Sequence, residues 1–369
     1  MMTEPEKQND GIAQVKVVGV GGGGCNAVSR MFRERIPGID YLALNTDAQA
    51  LTRCEVPVRV RIGDRLTRGL GVGGNPDVGR ESAEESRDEI HELISDSDMI
   101  FVAAGMGGGT GTGAAPLVAE ISKETGALTI AVVTKPFDFE GARRMQNAET
   151  GIQALRQHVD TLIVIPNQRL LALCDEEVTM DSAFRLADNA LRQGVQAIAD
   201  LVTVPGEINL DFADVKSIMA GAGQAWMSIG TGTGENRAVE AAKAAVASPL
   251  LDVDIDGAKG VLLNITGGTD LKLHELEEAA EVIRNVADPK ANIIFGMVTD
   301  PKMEDEVRVT IIATGFNMAD DPYSNDNQVS QLLMDALEGD ADLDIPPFMR
   351  RQAADRRRSQ NGVHAIENS

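Results

Sequence analysis

The sequence predicts an α/β protein: an N-terminal domain built on a parallel sheet, a long central helix, a C-terminal α+β domain and a flexible tail. Three observations carry this. Short apolar runs at 15–20, 41–44, 99–104, 129–134 and 162–167 alternate with helical stretches, and they read as strands buried on both faces. Residues 181–200 place Phe184, Leu186, Ala187, Ala190, Leu191, Val195 and Ile198 around most of a helix, as expected of one buried between domains. From Trp226 onward, strands at 225–229, 260–265, 292–296 and 307–314 mix with helices at 237–247 and 273–285.

Composition narrows the functions open to such a fold. A length of 369 residues suits two domains plus tails, and 43% apolar residues suffice for sizeable cores. Lys and Arg number 34 against 57 Asp and Glu, a net charge of -23. That excludes non-specific binding to nucleic acid or anionic lipid by the body of the protein. Aromatics at 3% leave no base-stacking platform for single strands. Cys25, Cys54 and Cys174 are far apart and odd in number, with neither metal spacing nor a disulfide framework, which fits a reducing cytoplasm. Residues 1–10 are polar, read as disordered and lack the apolar core of a signal peptide. No apolar run reaches the length of a membrane span.

The stretch around which the chain is organised is GMGGGTGTG at 105–113. An apolar strand precedes it, and a helix is expected after it with Pro116 in the first turn. Strand, glycine loop and helix N-terminus make an anion site: glycines let amide N–H groups approach a phosphate, and the helix dipole favours negative charge. A second such unit is Gly21, Gly22, Gly23 and Gly24, followed by Cys25 and Asn26. It formally matches a dinucleotide fingerprint, Gly19-x-Gly21-x-x-Gly24 with Asp40 about twenty residues on. An NAD-dependent oxidoreductase is therefore an alternative reading. Asn45, Thr46 and Asp47 meet a ligand at a strand's C-terminal end, or else Thr46 or Asp47 caps the helix at 48–53. The glycine-rich segment 63–80 either lies over a nucleotide or is a structural loop. Ser82 opens a charged amphipathic helix to Ile94.

Further along, Glu140 and Arg144 share a helix face, as a surface ion pair or as ligand contacts. Asp188 and Asn189 sit in the apolar central helix, where unpartnered polar groups are costly; a nucleotide base is one candidate partner. Asp211 and Asp214 face the same way at a helix start, where capping and dipole compensation also account for them. GTGTG recurs at 230–234, but Glu235 follows at once and would repel a phosphate, so this copy reads as a connecting loop. There is no GxxxxGK[ST], hence no P-loop lysine. The residues alone indicate a mononucleotide di- or triphosphate held by backbone amides. After an acidic linker at 319–341, residues 342–369 carry an apolar cluster with a basic end, Leu343 to Arg351, which reads as a partner-binding peptide on a tether.

The loop GMGGGTGTG is similar to the tubulin signature, and residues 15–316 resemble the tubulin/FtsZ family through GVGGGGCNAV, NTDAQAL, KPFDFEG, AFRLADN and NLDFADV, with DIPPFMRRQ in the tail. The resemblance implies domains at 11–180 (nucleotide), 181–203 (central helix) and 204–318 (activating loop and C-terminal domain). It implies GTP or GDP with Mg²⁺ as ligands and polymerisation head to tail into the cell-division ring. Gly21 to Gly24, Cys25 and Asn26 would line one phosphate loop. Gly107, Gly108, Gly109, Thr110, Gly111 and Thr112 would hold the β- and γ-phosphates. Glu140 and Arg144 would contact ribose and phosphates; Asn167 and Asp188 would read guanine, with Phe184 stacking on it. Asn209, Asp211 and Asp214 would complete hydrolysis in trans, from the neighbouring subunit. No metal ligand of the chain is assigned. Leu343 to Arg351 would bind membrane-tethering and regulatory partners in the cytoplasm at mid-cell; a tubulin-like scaffold outside division is the other family role. Cys25 replaces the family's usual glycine or polar residue and would bring a thiol near the phosphates.

Overall fold

The computed structural model describes residues 13–34, 36, 38–173, 178–203, 211–250 and 257–316. Asn209, Cys174, the N-terminal residues 1–10, the acidic linker and the segment Leu343 to Arg351 lie outside the described residues.

The chain runs β1 (Val15–Val20), α1 (Gly21–Glu34), β2 (Ile39–Asn45), α2 (Ala48–Arg53), β3 (Val58–Arg61), α3 (Asp64–Thr67), α4 (Pro76–Glu85), α5 (Arg87–Ile94), β4 (Met99–Gly105) and α6 (Thr110–Glu124). It continues with β5 (Leu128–Lys135), α7 (Ala142–Arg156), β6 (Thr161–Pro166), α8 (Asn167–Leu170), α9 (Met180–Thr203), α10 (Phe212–Met219) and β7 (Gly223–Thr233). It ends with α11 (Arg237–Val246), β8 (Gly260–Gly267), α12 (Leu273–Arg284), β9 (Asn292–Thr299) and β10 (Glu306–Thr314).

Ten strands form one sheet in the order β3-β2-β1-β4-β5-β6-β7-β10-β8-β9. Every pair from β3 to β7 is parallel, β10 runs antiparallel to β7 and β8, and β8 and β9 are parallel. Side chains alternate between the faces, as a two-residue period requires. Val15 and Val17 of β1 and Met99, Phe101 and Ala103 of β4 join a core with α1 and α9. Val18, Val20, Ile100, Val102 and Ala104 join the opposite core, with α5 and α6. A third core packs α11 and α12 on β8 and β10. The chain moves outward from β1 to β3 and then returns to β4 on the other side of β1. Strand order reverses there, and a crevice opens at the C-terminal ends of β1 and β4.

Glycine density misleads a propensity-based reading in several places. Gly21 to Gly24 are the first turn of α1, not a loop before it. α6 already starts at Thr110, so Pro116 lies inside the helix, beyond its first turn. Gly113 explains the early start: a Cβ there would stand 1.9 Å from the Pro76 carbonyl oxygen, so only glycine lets α4 lie against α6. The helix expected over 82–94 is two, α4 and α5, broken at Ser86. The second GTGTG is not a loop but the end of β7. A Cβ at Gly230 or Gly232 would stand 2.1 Å from a carbonyl of α11, so these glycines serve strand–helix packing.

Candidate functional site

A cleft of about 590 Å³ opens at the C-terminal ends of the parallel strands. Two helix N-termini, those of α1 and α6, meet there, and neither carries an acidic residue in its first turn. The two segments touch. Gly21, at φ 72°, has Gly111 so close that a Cβ would sit 2.6 Å from its amide nitrogen. Gly22 and Gly108 differ: a Cβ at either would meet nothing within 4 Å. Both line the cleft, so their backbones are exposed to whatever fills it. Glycine backbones at two helix N-termini are suited to holding an anion.

The glycine loop is held from behind. The Gly107 amide, at φ 99°, donates to Thr112 Oγ1 at 2.8 Å, and the Met106 amide donates to the Thr134 carbonyl at 2.9 Å. The hydroxyls of Thr110 and Thr46 pair at 2.8 Å, both buried. Thr110 and Thr112 therefore shape the loop with their hydroxyls.

Of the residues expected at the site, Gly22, Gly23, Asn26, Gly108, Gly109, Thr110, Gly111, Glu140, Arg144, Asn167, Phe184 and Asp188 line the cleft. Gly107 lines an adjoining cavity with Arg143 and Arg144. Gly21, Gly24 and Thr112 stand behind the wall, and a Cβ at Gly24 would lie 2.2 Å from the Ala103 carbonyl oxygen. Cys25 is a correction. It is buried in the core shared with α9, its Sγ 3.7 Å from the Gly19 carbonyl and 3.6 Å from that of Leu44. The helical turn that presents Asn26 to the cleft carries Cys25 away from it. Asp40 is a second correction. It pairs with Lys16 at the N-terminal end of β2, whereas a ribose-binding acid must stand at the strand's C-terminal end.

The far end of the cleft is suited to a planar polar ring. Phe184 is exposed and meets the Phe137 and Phe139 rings edge-on, at 5.6 and 6.1 Å between centroids. Asn167 is buried, and its Oδ1 has no hydrogen-bond partner. Such an orphan acceptor is costly until a ligand donor reaches it. Asp188 is mostly buried and accepts from Arg30 Nε at 3.1 Å. Burial pushes its carboxyl up to about 6, and the Arg30 guanidinium opposes that shift without cancelling it.

Each remaining carboxylate in the cleft already has work to do. Glu140 accepts from the Phe137 amide at 3.0 Å and pairs with Arg144. Asp47 caps α2, accepting from the Gln49 and Ala50 amides at 2.8 and 3.2 Å. Asp47 thus caps α2 and also lines the cleft, and Asn45 lines it as well. The segment 63–80 contributes Gly71, Val72 and Gly73 to the wall. Thr134 and Leu191 line it as well. Nothing in their local sequence marks them, because only strand register and helix phase bring them there.

Asp211 and Asp214 line neither this cleft nor its neighbour. Asp211 is the N-cap of α10 by position, yet its side chain makes no cap hydrogen bond, and both carboxylates are exposed. α10 is fastened to the start of β6, where Thr161 Oγ1 donates to the Met219 carbonyl at 2.5 Å and Thr161 pairs with Gly223. The cleft lies past the end of β6, at Asn167. A six-residue strand, about 20 Å long, separates the two. The attachment of α10 and the cleft are at opposite ends of one strand. Among the described residues there is no group of three metal-ligating side chains, and no helix is long and apolar enough to cross a membrane.

Comparison with known proteins places this geometry. Residues 14–175 match the model of the Tubulin/FtsZ family GTPase domain, and residues 223–317 match that of the FtsZ family C-terminal domain. The fold superimposes on an empty FtsZ dimer from M. jannaschii with a TM-score of 0.81 and 47% identity, over 85% of this chain and 93% of that one. A variant of the M. jannaschii FtsZ gives 0.82 and 48%, over 84% and 93%. A GDP-bound CetZ1 monomer from Haloferax volcanii has the same fold at 24% identity and a TM-score of 0.73, over 88% of this chain and 99% of its own. The two family models cover both halves of the described fold, and the chain belongs to the tubulin/FtsZ family of GTPases.

Proposed function

We propose that this GTPase binds GTP in the crevice between β1 and β4 and hydrolyses it only when a second copy stacks on that crevice. The observation that supports the reading is the separation described above. The three cleft carboxylates are engaged by Arg30, by Arg144 and the Phe137 amide, and by the α2 amides, while Asp211 and Asp214, exposed and without a side-chain partner among the described residues, belong to the helix fastened at the opposite end of the sheet. Copies stacked head to tail bring one copy's Asp211 and Asp214 to the next copy's cleft. Such a heterologous contact repeats and builds an open filament. FtsZ from M. jannaschii is known as a dimer and CetZ2 from Haloferax volcanii as a GTPγS-bound protofilament, both in keeping with self-association.

In this reading the amides of Gly22, Gly23 and Gly108 to Gly111 hold the phosphates. The Asp188 carboxylate accepts the paired N–H groups that guanine presents, and it would meet an acceptor on adenine. Asn167 fills its empty hydrogen-bond position with the base, and Phe184 covers one face. Asp214, with Asp211 and Asn209, orients the attacking water and takes its proton as the bond to the γ-phosphoryl group forms and GDP leaves. The two helix N-termini stabilise the charge that develops on the phosphate oxygens. Mg²⁺ would be held chiefly by those oxygens and water, since such sites commonly use substrate phosphates with one or two carboxylates. Residues 11–180 form the nucleotide unit, 181–203 the central helix and 204–318 the unit that completes the neighbour's site. The tail segment Leu343 to Arg351 recruits tethering and regulatory partners to a cytoplasmic filament at the division ring.

The test is binding followed by assembly. The protein should bind GTP and GDP and prefer both over ATP and ADP, and light scattering should rise with GTP but not with GDP. Equal binding of adenine nucleotides, or scattering indifferent to the nucleotide, would refute the reading.

A further inference from the structure

Cys25 and Cys54 are 29 positions apart in the chain, and the fold brings them together. Cys25 lies early in α1, and Cys54 is the C-cap of α2. Cys54 Sγ is 3.6 Å from the Cys25 carbonyl oxygen and 3.0 Å from Ser29 Oγ, so the two cysteines lie against each other. Both are buried and unlinked. The chain neighbours of Cys54, Arg53 and Glu55, are exposed.

The pair is polarised. The neighbouring Cys25 side chain and the Ser29 hydroxyl hold Cys54 below the ordinary thiol range, while the neighbouring Cys54 side chain and burial push Cys25 up. Cys54 is the sulfur that ionises more readily, with Cys25 beside it in the fold.

We propose that Cys25 and Cys54 form a dithiol that hydrogen peroxide converts to a disulfide, and that the disulfide form binds nucleotide more weakly. In the first step the Cys54 thiolate attacks one peroxide oxygen. The O–O bond breaks, the departing hydroxide takes a proton to become water, and Cys54 becomes a sulfenic acid. The Cys25 sulfur then attacks the Cys54 sulfur, the S–O bond breaks, and the hydroxyl leaves as water with the Cys25 proton. Two thiols and one peroxide give one disulfide and two waters; the sulfurs are oxidised and the peroxide is reduced.

The coupling follows from what the two cysteines are attached to. Gly23 and Asn26, on either side of Cys25 in α1, line the cleft, and so does Asn45, which follows Leu44, whose carbonyl accepts from the Cys25 thiol. α2 begins at the Asp47 cap and contributes Ala50 to the same wall. A bond between the first turns of α1 and the end of α2 moves both walls at once. Only this coupling rests on the proposed nucleotide site.

The experiment treats the full chain with hydrogen peroxide and maps cysteine peptides without reduction, with GDP affinity measured in parallel. A peptide linking Cys25 to Cys54 is expected, two hydrogens lighter and reversed by dithiothreitol. GDP affinity should fall about tenfold on linkage and recover on reduction. Cys54→Ser should show neither linkage nor loss of affinity after peroxide. A Cys54 sulfinic acid in place of the link, a link to Cys174, or linked protein that holds GDP as the reduced protein does would overturn the proposal. Failure of the reduced protein to bind GDP would instead refute the nucleotide reading, with the linkage still decided by mass.

Discussion

Asp188 shows at the scale of one residue how burial prepares recognition. Desolvation raises its carboxyl to about 6, so the group is ionised at neutral pH but near its titration range. The proposed guanine contact of Asp188 needs the ionised form. Nucleotide affinity is therefore expected to hold above pH 7 and to fall about tenfold per unit below pH 6, and Asp188→Asn should abolish that dependence. Equilibrium binding of GDP between pH 5 and 8 checks it. Asp200, buried near the end of α9, is pushed up to about 7 by burial. Its folded-state value lies above its unfolded one, so the folded protein binds the proton more tightly. Its contribution to stability is full below the unfolded value and is lost as pH rises through 4 to 7. Asp200→Asn should flatten that loss, as read by Tm across the same range. At this scale the sequence was legible where polar groups interrupt an apolar pattern, as Asp188 does. It was not legible where helix phase decides: Cys25 and Asn26 are neighbours in the chain, yet one is in the core and the other in the cleft.

At the scale of elements, the alternation of apolar strands and helices was enough to read the parallel sheet and the central helix. Glycine-rich starts were not legible in the same way, because a glycine needed for close packing and one needed for a ligand look alike in a sequence. The structure separates them, and a pair of substitutions tests the separation. Gly113→Ala places a Cβ 1.9 Å from the Pro76 carbonyl oxygen and should lower stability by about 1–3 kcal/mol or more. Gly108→Ala meets nothing within 4 Å and should leave Tm unchanged while weakening GTP binding. Thr112→Val belongs with the first kind. It removes the acceptor of the buried Gly107 amide, and denaturant unfolding should show a loss of about 1–3 kcal/mol. The same reasoning separates the two copies of GTGTG, one opening α6 in the cleft and the other ending β7 against α11.

At the scale of the molecule, the decisive fact is which end of the sheet each group occupies. A sequence orders residues along a line, and it put Asp211 and Asp214 next to the central helix without saying at which end of the sheet α10 would fasten. The Thr161–Met219 bond fastens the C-terminal end of α10 at the end remote from the cleft. The account's central claim is that one molecule holds the substrate and the next one's carboxylates complete the site. The direct measurement is GTP turnover per chain against protein concentration, for the native sequence and for Asp214→Ala. Turnover per chain should rise from near zero once copies associate, and Asp214→Ala should reduce it by about 10² or more while leaving GDP affinity intact. A rate per chain independent of concentration, or an Asp214→Ala variant as active as the native protein, would contradict it.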